Sequence, residues 1–161
     1  MQELSIKFSD RDINDKSFSI KERDLFNKAL EICQQAYAPY SHFNVGASIL
    51  LENELFLTGS NQENSSFPCG ICAERVVLFS AKSNYPDLKV LKIAITAKSK
   101  NFKNTIPAAP CGLCRQVLLE YEVQQKHKIE IYLFNEKRVI KFNQAKDLLP
   151  FYFSEDRLKR K

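Results

Sequence analysis

Long apolar runs are missing from this chain: no stretch of its 161 residues approaches the ~20 consecutive apolar side chains that a bilayer-spanning helix needs. The opening segment, MQELSIKFSDRDINDK, mixes both charge signs and has no apolar core of signal-peptide type, so the chain is expected to stay in the cytosol. Glycine is scarce, with only 4 residues, and there is no low-complexity segment, internal repeat or linker-like stretch. With 12 Phe, 6 Tyr and 44% hydrophobic residues, that scarcity excludes a disordered chain and leaves one globular domain as the expectation. A strong charge imbalance is missing too. Part of the net charge of +5 sits in the tail DRLKRK, and the interior lysines alternate with apolar residues as on ordinary helix and strand surfaces. Neither a nucleic acid nor a membrane is therefore an expected partner.

What is present is a regular alternation of helical and strand patterns. Residues 1–17 read as an N-terminal extension with an edge strand through LSIKF, and residues 18–161 as a single domain. Leu25, Phe26, Ala29, Leu30, Cys33 and Tyr37 recur at helical spacing. Ser19 and Glu22 have the spacing of a capping box, and the helix must stop before Pro39. NVGASILL and ELFLTGS form a hairpin around EN. The segment from Cys72 to Ser83 is helical, with Val76, Val77, Leu78 and Phe79 too apolar for an exposed face. LKVLKIAITA is a central strand. A loop leads to a second helix starting just after Pro110, then strands KIEIYLF and KRVIKF, a short helix NQAKDLLP and the tail. This order predicts a layered α/β sandwich with a mixed sheet, and ligands in such sheets bind beyond strand ends near helix N-termini.

Four of the five cysteines lie at helix starts, in NQENSSFPCGICAERVV (Cys69, Cys72) and PCGLCRQVL (Cys111, Cys114). In a reducing compartment such spacing points to metal rather than disulfides. The fifth, Cys33, lies in a helical pattern and is expected to be a small buried hydrophobe. A four-cysteine structural zinc would have to enclose the 38 residues between Cys72 and Cys111, a complete helix-strand unit, where small clamps enclose about 15–20. Three ligands and one open position make a catalytic zinc instead. Cys111 and Cys114 stand three apart in one first turn, Cys72 supplies the third thiolate, and Glu74 lies beside the metal without ligating it. The order ligand-x-Glu followed by Pro-Cys-x-x-Cys is that of the zinc deaminases, in which the glutamate is the acid/base. Three thiolates leave a negative site, so positive groups are needed nearby; Arg75 and Arg115 follow the ligand motifs and two helix N-termini point at the sulfurs.

The segments AYAPYSHFNVGAS, NQEN, CAER, PCGLCRQ and LLPFYFSEDRL, in this order over residues 23 to 158, resemble the cytidine deaminase family, specifically its small homotetrameric branch. The resemblance implies a three-layer α/β/α sandwich around a mixed five-stranded sheet, one zinc ion per chain, and hydrolytic deamination of cytidine and 2′-deoxycytidine in pyrimidine salvage. It implies that Phe43 packs on the pyrimidine and that Asn61 and Glu63 bind the ribose hydroxyls. Ala73 and Glu74 would read the base edge, and Phe153 would reach a neighbouring subunit's site. Cys69 falls where the family has no ligand and Phe67 where relatives often carry Tyr. Asn44 replaces a commoner Pro. Blasticidin-type deaminases share CAE and a PCGxCRQ-like segment, but Asn61 and Glu63 argue for a ribose. A non-catalytic zinc domain remains the alternative of another class. It requires Cys69 in the metal shell and indifference to Glu74.

Overall fold

In the computed structural model, which describes residues 3–155 and 158, the chain forms a six-stranded sheet with helices on both faces. The first helix, α1 (Ile20–Cys33), opens with the expected capping box: the Ser19 side chain accepts from the Glu22 backbone and the Glu22 carboxylate accepts from the Ser19 backbone N–H at 2.8 Å. Two first-turn donors that would otherwise be orphaned are thereby satisfied. The strands are β1 (Phe8–Asp12), β2 (Phe43–Leu51), β3 (Phe56–Ser60), β4 (Val90–Ser99), β5 (Glu130–Phe134) and β6 (Arg138–Phe142). Helix α2 (Ala73–Asn84) follows β3, and α3 (Gly112–Gln124) crosses from β4 to β5. The sheet order is β1-β6-β5-β4-β2-β3, and β4–β5 is its one parallel pair.

Side-chain alternation assigns the two faces. Ala47, Ile49, Leu51, Ile93, Ile95, Ile131 and Leu133 pack under α2 and α3, against Val77, Leu78, Ala81, Leu118 and Leu119. The residues between them, Leu50, Ala94, Tyr132 and Phe134, pack under α1 against Leu25, Phe26 and Ala29. Period-2 strands buried on both faces produce this three-layer arrangement. Phe26 sits at the centre of the α1 layer, with ring centroids 5.5 Å from Tyr132 and 5.0 Å from Phe134. Truncating it to Ala removes both contacts and costs about 3–5 kcal/mol. Two glycines set the helix distances. A Cβ at Gly46 would lie 2.1 Å from the Ala29 carbonyl of α1, and one at Gly59 would lie 2.9 Å from the Ala73 carbonyl of α2. Only a glycine lets each strand approach that closely.

The fold corrects the sequence reading at several points. The sheet has six strands rather than five, because residues 8–12 of the N-terminal extension pair with β6. That strand begins where LSIKF ends, since Asp10 meets Arg138 and Phe8 meets Phe142 only in this register. Tyr37 lies beyond α1 and is exposed; its backbone bridges to Gln62 instead. Phe79 points outward at 43% exposure, edge-on to Tyr121. NQAKDLLP contributes a single 3-10 turn, Ala145–Leu148. Cys33 is buried as expected, its thiol donating to the Asn44 carbonyl.

Candidate active site

Cys72 and Cys111 are the N-cap residues of α2 and α3, both with extended backbone and neither with a side-chain cap hydrogen bond. The first-turn N–H groups of two helices are thus free of the usual hydroxyl or carboxylate partner and favour negative charge at the sulfurs. Cys114 lies one turn further in α3 and is buried. The three Sγ atoms lie within 4.8 Å of one another, Cys72–Cys111 at 3.9 Å and Cys111–Cys114 at 3.5 Å. Thiolates around a tetrahedral zinc, at Zn–S of about 2.3 Å, are separated by roughly 3.8 Å. Cys69 sits exposed in the 3-10 turn Phe67–Cys69 and is not one of the cluster. The three-cysteine site is therefore the one present among the described residues.

The electrostatics of the cluster are those of a site made for a cation. The hydrogen bond from Cys114 favours the Cys72 thiolate; burial opposes it, the Arg75 guanidinium reinforces it, and the Cys72 pKa falls to about 5. Cys114, which donates that hydrogen bond, is pushed in the opposite direction, and its burial adds to the shift. Glu74, only 4% exposed, is raised first by burial; its own backbone N–H opposes this and the Cys72 charge adds to it. Arg75 lies against Cys72 and Cys114; burial works to lower its pKa, and the two sulfurs outweigh that. Its Nε is buried without a hydrogen-bond partner among the described residues. Three convergent sulfurs at two helix N-termini fit a bound dication, which would convert every thiol to thiolate and so give the Arg75 donor an acceptor. The donor set and spacing fit one Zn²⁺ per chain.

Arg115 has a different task from Arg75. Its Nε donates to the Pro110 carbonyl at 2.8 Å and its Nη1 to the Leu148 carbonyl at 3.1 Å. It fixes the loop that delivers Cys111 and joins it to the 3-10 turn before the tail.

Three chain segments interlace beside the cysteines. The Gln62 backbone exchanges hydrogen bonds with Ile71, while Tyr37 N–H donates to the Asn61 carbonyl and Glu63 N–H to the Tyr37 carbonyl. Glu63 directs its carboxylate at the 40–41 turn, accepting from Tyr40 N–H at 3.0 Å and from the Ser41 hydroxyl. That hydroxyl is the main cause holding the Glu63 pKa below the usual range; desolvation opposes it, and the Tyr40 and Ser41 backbone N–H groups reinforce it. Asn61 is tied to β2: Oδ1 accepts from Val45 N–H at 2.7 Å and Nδ2 donates to the Phe43 carbonyl at 2.9 Å. One amide proton and one lone pair are left for any other partner. Glu63, Tyr40, Ser41 and Phe67 line a cavity of about 390 Å³.

Phe43 is half-buried at the start of β2, entered through a left-handed turn at His42, and stacks on Phe102 with centroids 5.9 Å apart. Ala73 is fully buried at the first position of α2, against β3. Phe153 is exposed; Gln116 of α3 donates to its carbonyl at 2.9 Å. Thus Cys72, Cys111, Cys114, Glu74 and Arg75 are one contiguous cluster. Asn61 and Glu63 shape the adjoining loops, and Phe153 extends from the α3 side. Sequence reasoning missed Ser41, Phe102 and Gln116. Ser41 stands two residues before Phe43, inside a segment already singled out; Phe102, in an irregular loop, gives no local signal.

Comparison with known proteins agrees with this geometry. A family model described as the cytidine and deoxycytidylate deaminase zinc-binding region matches residues 19–127. A cytidine deaminase of Halalkalibacterium halodurans is 36% identical over 132 residues, spanning 82% of this chain and 93% of its own. One from Sporosarcina psychrophila is 37% identical over 126 residues, spanning 78% and 85%. Among solved structures, the cytidine deaminase from Burkholderia pseudomallei matches with a TM-score of 0.68 and 36% identity, covering 81% of this chain and 98% of that one. That of Mycobacterium tuberculosis gives 0.66 and 30%, covering 85% and 100%. With the cysteine cluster inside the matched region, and relatives similar along nearly their whole length, the chain belongs to the zinc-binding cytidine and deoxycytidylate deaminase family.

Proposed function

We propose that this protein catalyses the hydrolytic deamination of cytidine and 2′-deoxycytidine to the uridine nucleosides and ammonia. The reaction serves pyrimidine salvage in the cytoplasm, and the working form is a homotetramer. The observation that carries this reading is Glu74: a carboxyl 4% exposed, one turn-start away from three convergent thiols, with its pKa raised by burial. A buried carboxyl with no partner of opposite charge among the described residues other than the arginine beside it suits a group that takes and returns protons.

Cys72, Cys111 and Cys114 would hold the zinc, which would supply an acidified water and offset the charge on the oxygen added at C4. Glu74 accepts the proton of the attacking water and places it on N3 as the oxygen adds to C4. The remaining hydroxyl proton then passes through the same carboxyl to the amino nitrogen. The C4–N bond breaks, ammonia leaves and the C4 carbonyl forms. Phe43 lies against the pyrimidine, the Ala73 backbone and Glu74 meet the base edge, and Asn61 and Glu63 bind the ribose hydroxyls. Phe153 reaches a neighbouring subunit's site. Arg75 balances thiolate charge, and Arg115 keeps the Cys111 loop in place.

The test is the loss of cytosine absorbance on mixing zinc-loaded protein with cytidine and, separately, 2′-deoxycytidine. Turnover of both is expected. Zinc-loaded protein that turns over neither contradicts the nucleoside reading.

A further inference from the structure

A second cavity lies away from the cysteines, at the carboxyl ends of β4 and β5 on the α1 face. It has a volume of about 470 Å³, a size typical of small-molecule sites. We propose that it binds a phosphate-bearing small molecule of nucleotide size.

Thr96 is a polar residue in the lining of the cavity. Four polar side chains are buried among the described residues: Ser48, Ser60, Glu74 and Thr96. Ser48 donates to the Leu25 carbonyl, Ser60 accepts from Gln62, and Glu74 belongs to the cysteine site. Thr96, 1% exposed, has no side-chain hydrogen bond among the described residues, and it lines this cavity. The buried side-chain atoms that lack a partner among the described residues are Ser9 Oγ and Arg75 Nε, so the Thr96 hydroxyl is open to the cavity and free to meet a ligand there.

The charged groups of the cavity lining are predominantly cationic. Lys98, Lys103 and Lys137 line the cavity with one carboxylate, Glu136, which lies 4.0 Å from the Lys98 ammonium at the exposed rim. Lys103 and Lys137 have no ion pair among the described residues. An excess of ammonium groups over a neutral hydroxyl donor suits phosphate oxygens and offers little to an uncharged nucleoside.

The cavity walls are preorganised by side-chain hydrogen bonds. Asn104 Nδ2 donates to the Ala97 carbonyl at 2.8 Å, and Asn135 Nδ2 donates to the Asn104 carbonyl at 3.0 Å. The Asn135 Oδ1 accepts from both Lys137 and Arg138 N–H groups. These bonds fasten the loop after β4 to the β5–β6 turn, so the walls exist before a ligand arrives. Phe102, another wall, gives the site an aromatic surface for a base.

The Phe102 wall stacks on Phe43 and so adjoins the proposed pyrimidine site, but Thr96 and the three lysines take no part in the proposed reaction. The test is isothermal titration of the zinc-loaded full-length protein with sodium pyrophosphate and with ADP, a purine nucleotide foreign to a pyrimidine-nucleoside site. Binding of at least one probe is expected, weakening as salt rises. The Lys98→Ala/Lys103→Ala/Lys137→Ala variant should weaken it at least about ten-fold, and Thr96→Val, which keeps the shape and removes the hydroxyl, several-fold. Glu136→Gln should tighten it, an effect that no loss of folding can imitate. Glu74→Gln should leave it unchanged. Absence of binding by both probes at millimolar concentration, or an affinity that the lysine variant leaves unmoved, overturns the proposal.

Discussion

Two half-buried clusters of ionisable groups lie on opposite faces of the sheet, and they are solved in opposite ways. On the α1 face, Glu22 accepts from Tyr132, Lys92 and the Ser19 backbone, Lys92 also pairs with Glu130 at 2.8 Å, and Glu130 pairs with Lys141 at 2.6 Å. Burial works to raise the Glu22 pKa, but these bonds outweigh it and bring it from an ordinary 4.5 to about 2. Every group there has its partner. On the other face Glu74 is raised, Cys72 and Cys114 are driven apart, and the Arg75 Nε has no hydrogen-bond partner among the described residues. A satisfied network holds α1 to β4, β5 and β6. The other, placed at two helix starts, has its three sulfurs arranged to hold a cation. The contrast separates a structural cluster from a functional one without reference to either one's composition.

The contrast is broken most sharply by Glu74→Gln. Turnover of cytidine should fall by about 10²–10⁴-fold while thermal stability holds or rises, since a buried carboxyl is removed. Stripping the metal with a chelator comes next: Tm should fall by on the order of 5–10 °C, because zinc binds only the folded arrangement of the three cysteines. Glu22→Ala should do the reverse of Glu74→Gln. It removes the capping box and leaves Tyr132 and Lys92 short of a partner, costing about 2–4 kcal/mol in denaturant unfolding, with turnover per folded molecule unchanged.

The pH dependence has a definite sign. Because the folded pKa of Glu22 lies below its unfolded value, its contribution is fully present above about pH 4.5 and is lost as the pH falls toward about 2. Acid unfolding of Glu22→Gln should show a shallower slope across that window than wild type. The smallest effect belongs to Lys21→Ala. The Lys21–Glu54 pair is 52% and 71% exposed, so its loss should change stability by no more than about 0.5 kcal/mol.

How much of this could be read from the residues depended on range. The Ser19–Glu22 capping box, the hairpin of β2 and β3 and the helix starts at Cys72 and Cys111 are local, and pattern reasoning placed them. The three-residue spacing of Cys111 and Cys114 in a first turn already fixed their common direction, whereas Cys69, at the same spacing from Cys72, was set apart only by the family resemblance. What failed was long-range. Tyr37 continues the helical period but leaves the helix to bridge Gln62. Phe79 matches a buried pattern yet faces out on α2. The register of β1 is set by Asp10 and Phe8 meeting residues about 130 positions away. The holding of Asn61 by the β2 backbone, the Phe43–Phe102 stack and the free Thr96 hydroxyl are products of packing, invisible to any window along the chain.

The most direct test of the central claim is a paired measurement of zinc content and cytidine turnover on wild type, Cys69→Ala and Glu74→Gln. The account predicts one zinc per chain in all three, full turnover in wild type and Cys69→Ala, and almost none in Glu74→Gln. Loss of zinc in Cys69→Ala, or near-normal turnover in Glu74→Gln, would contradict it.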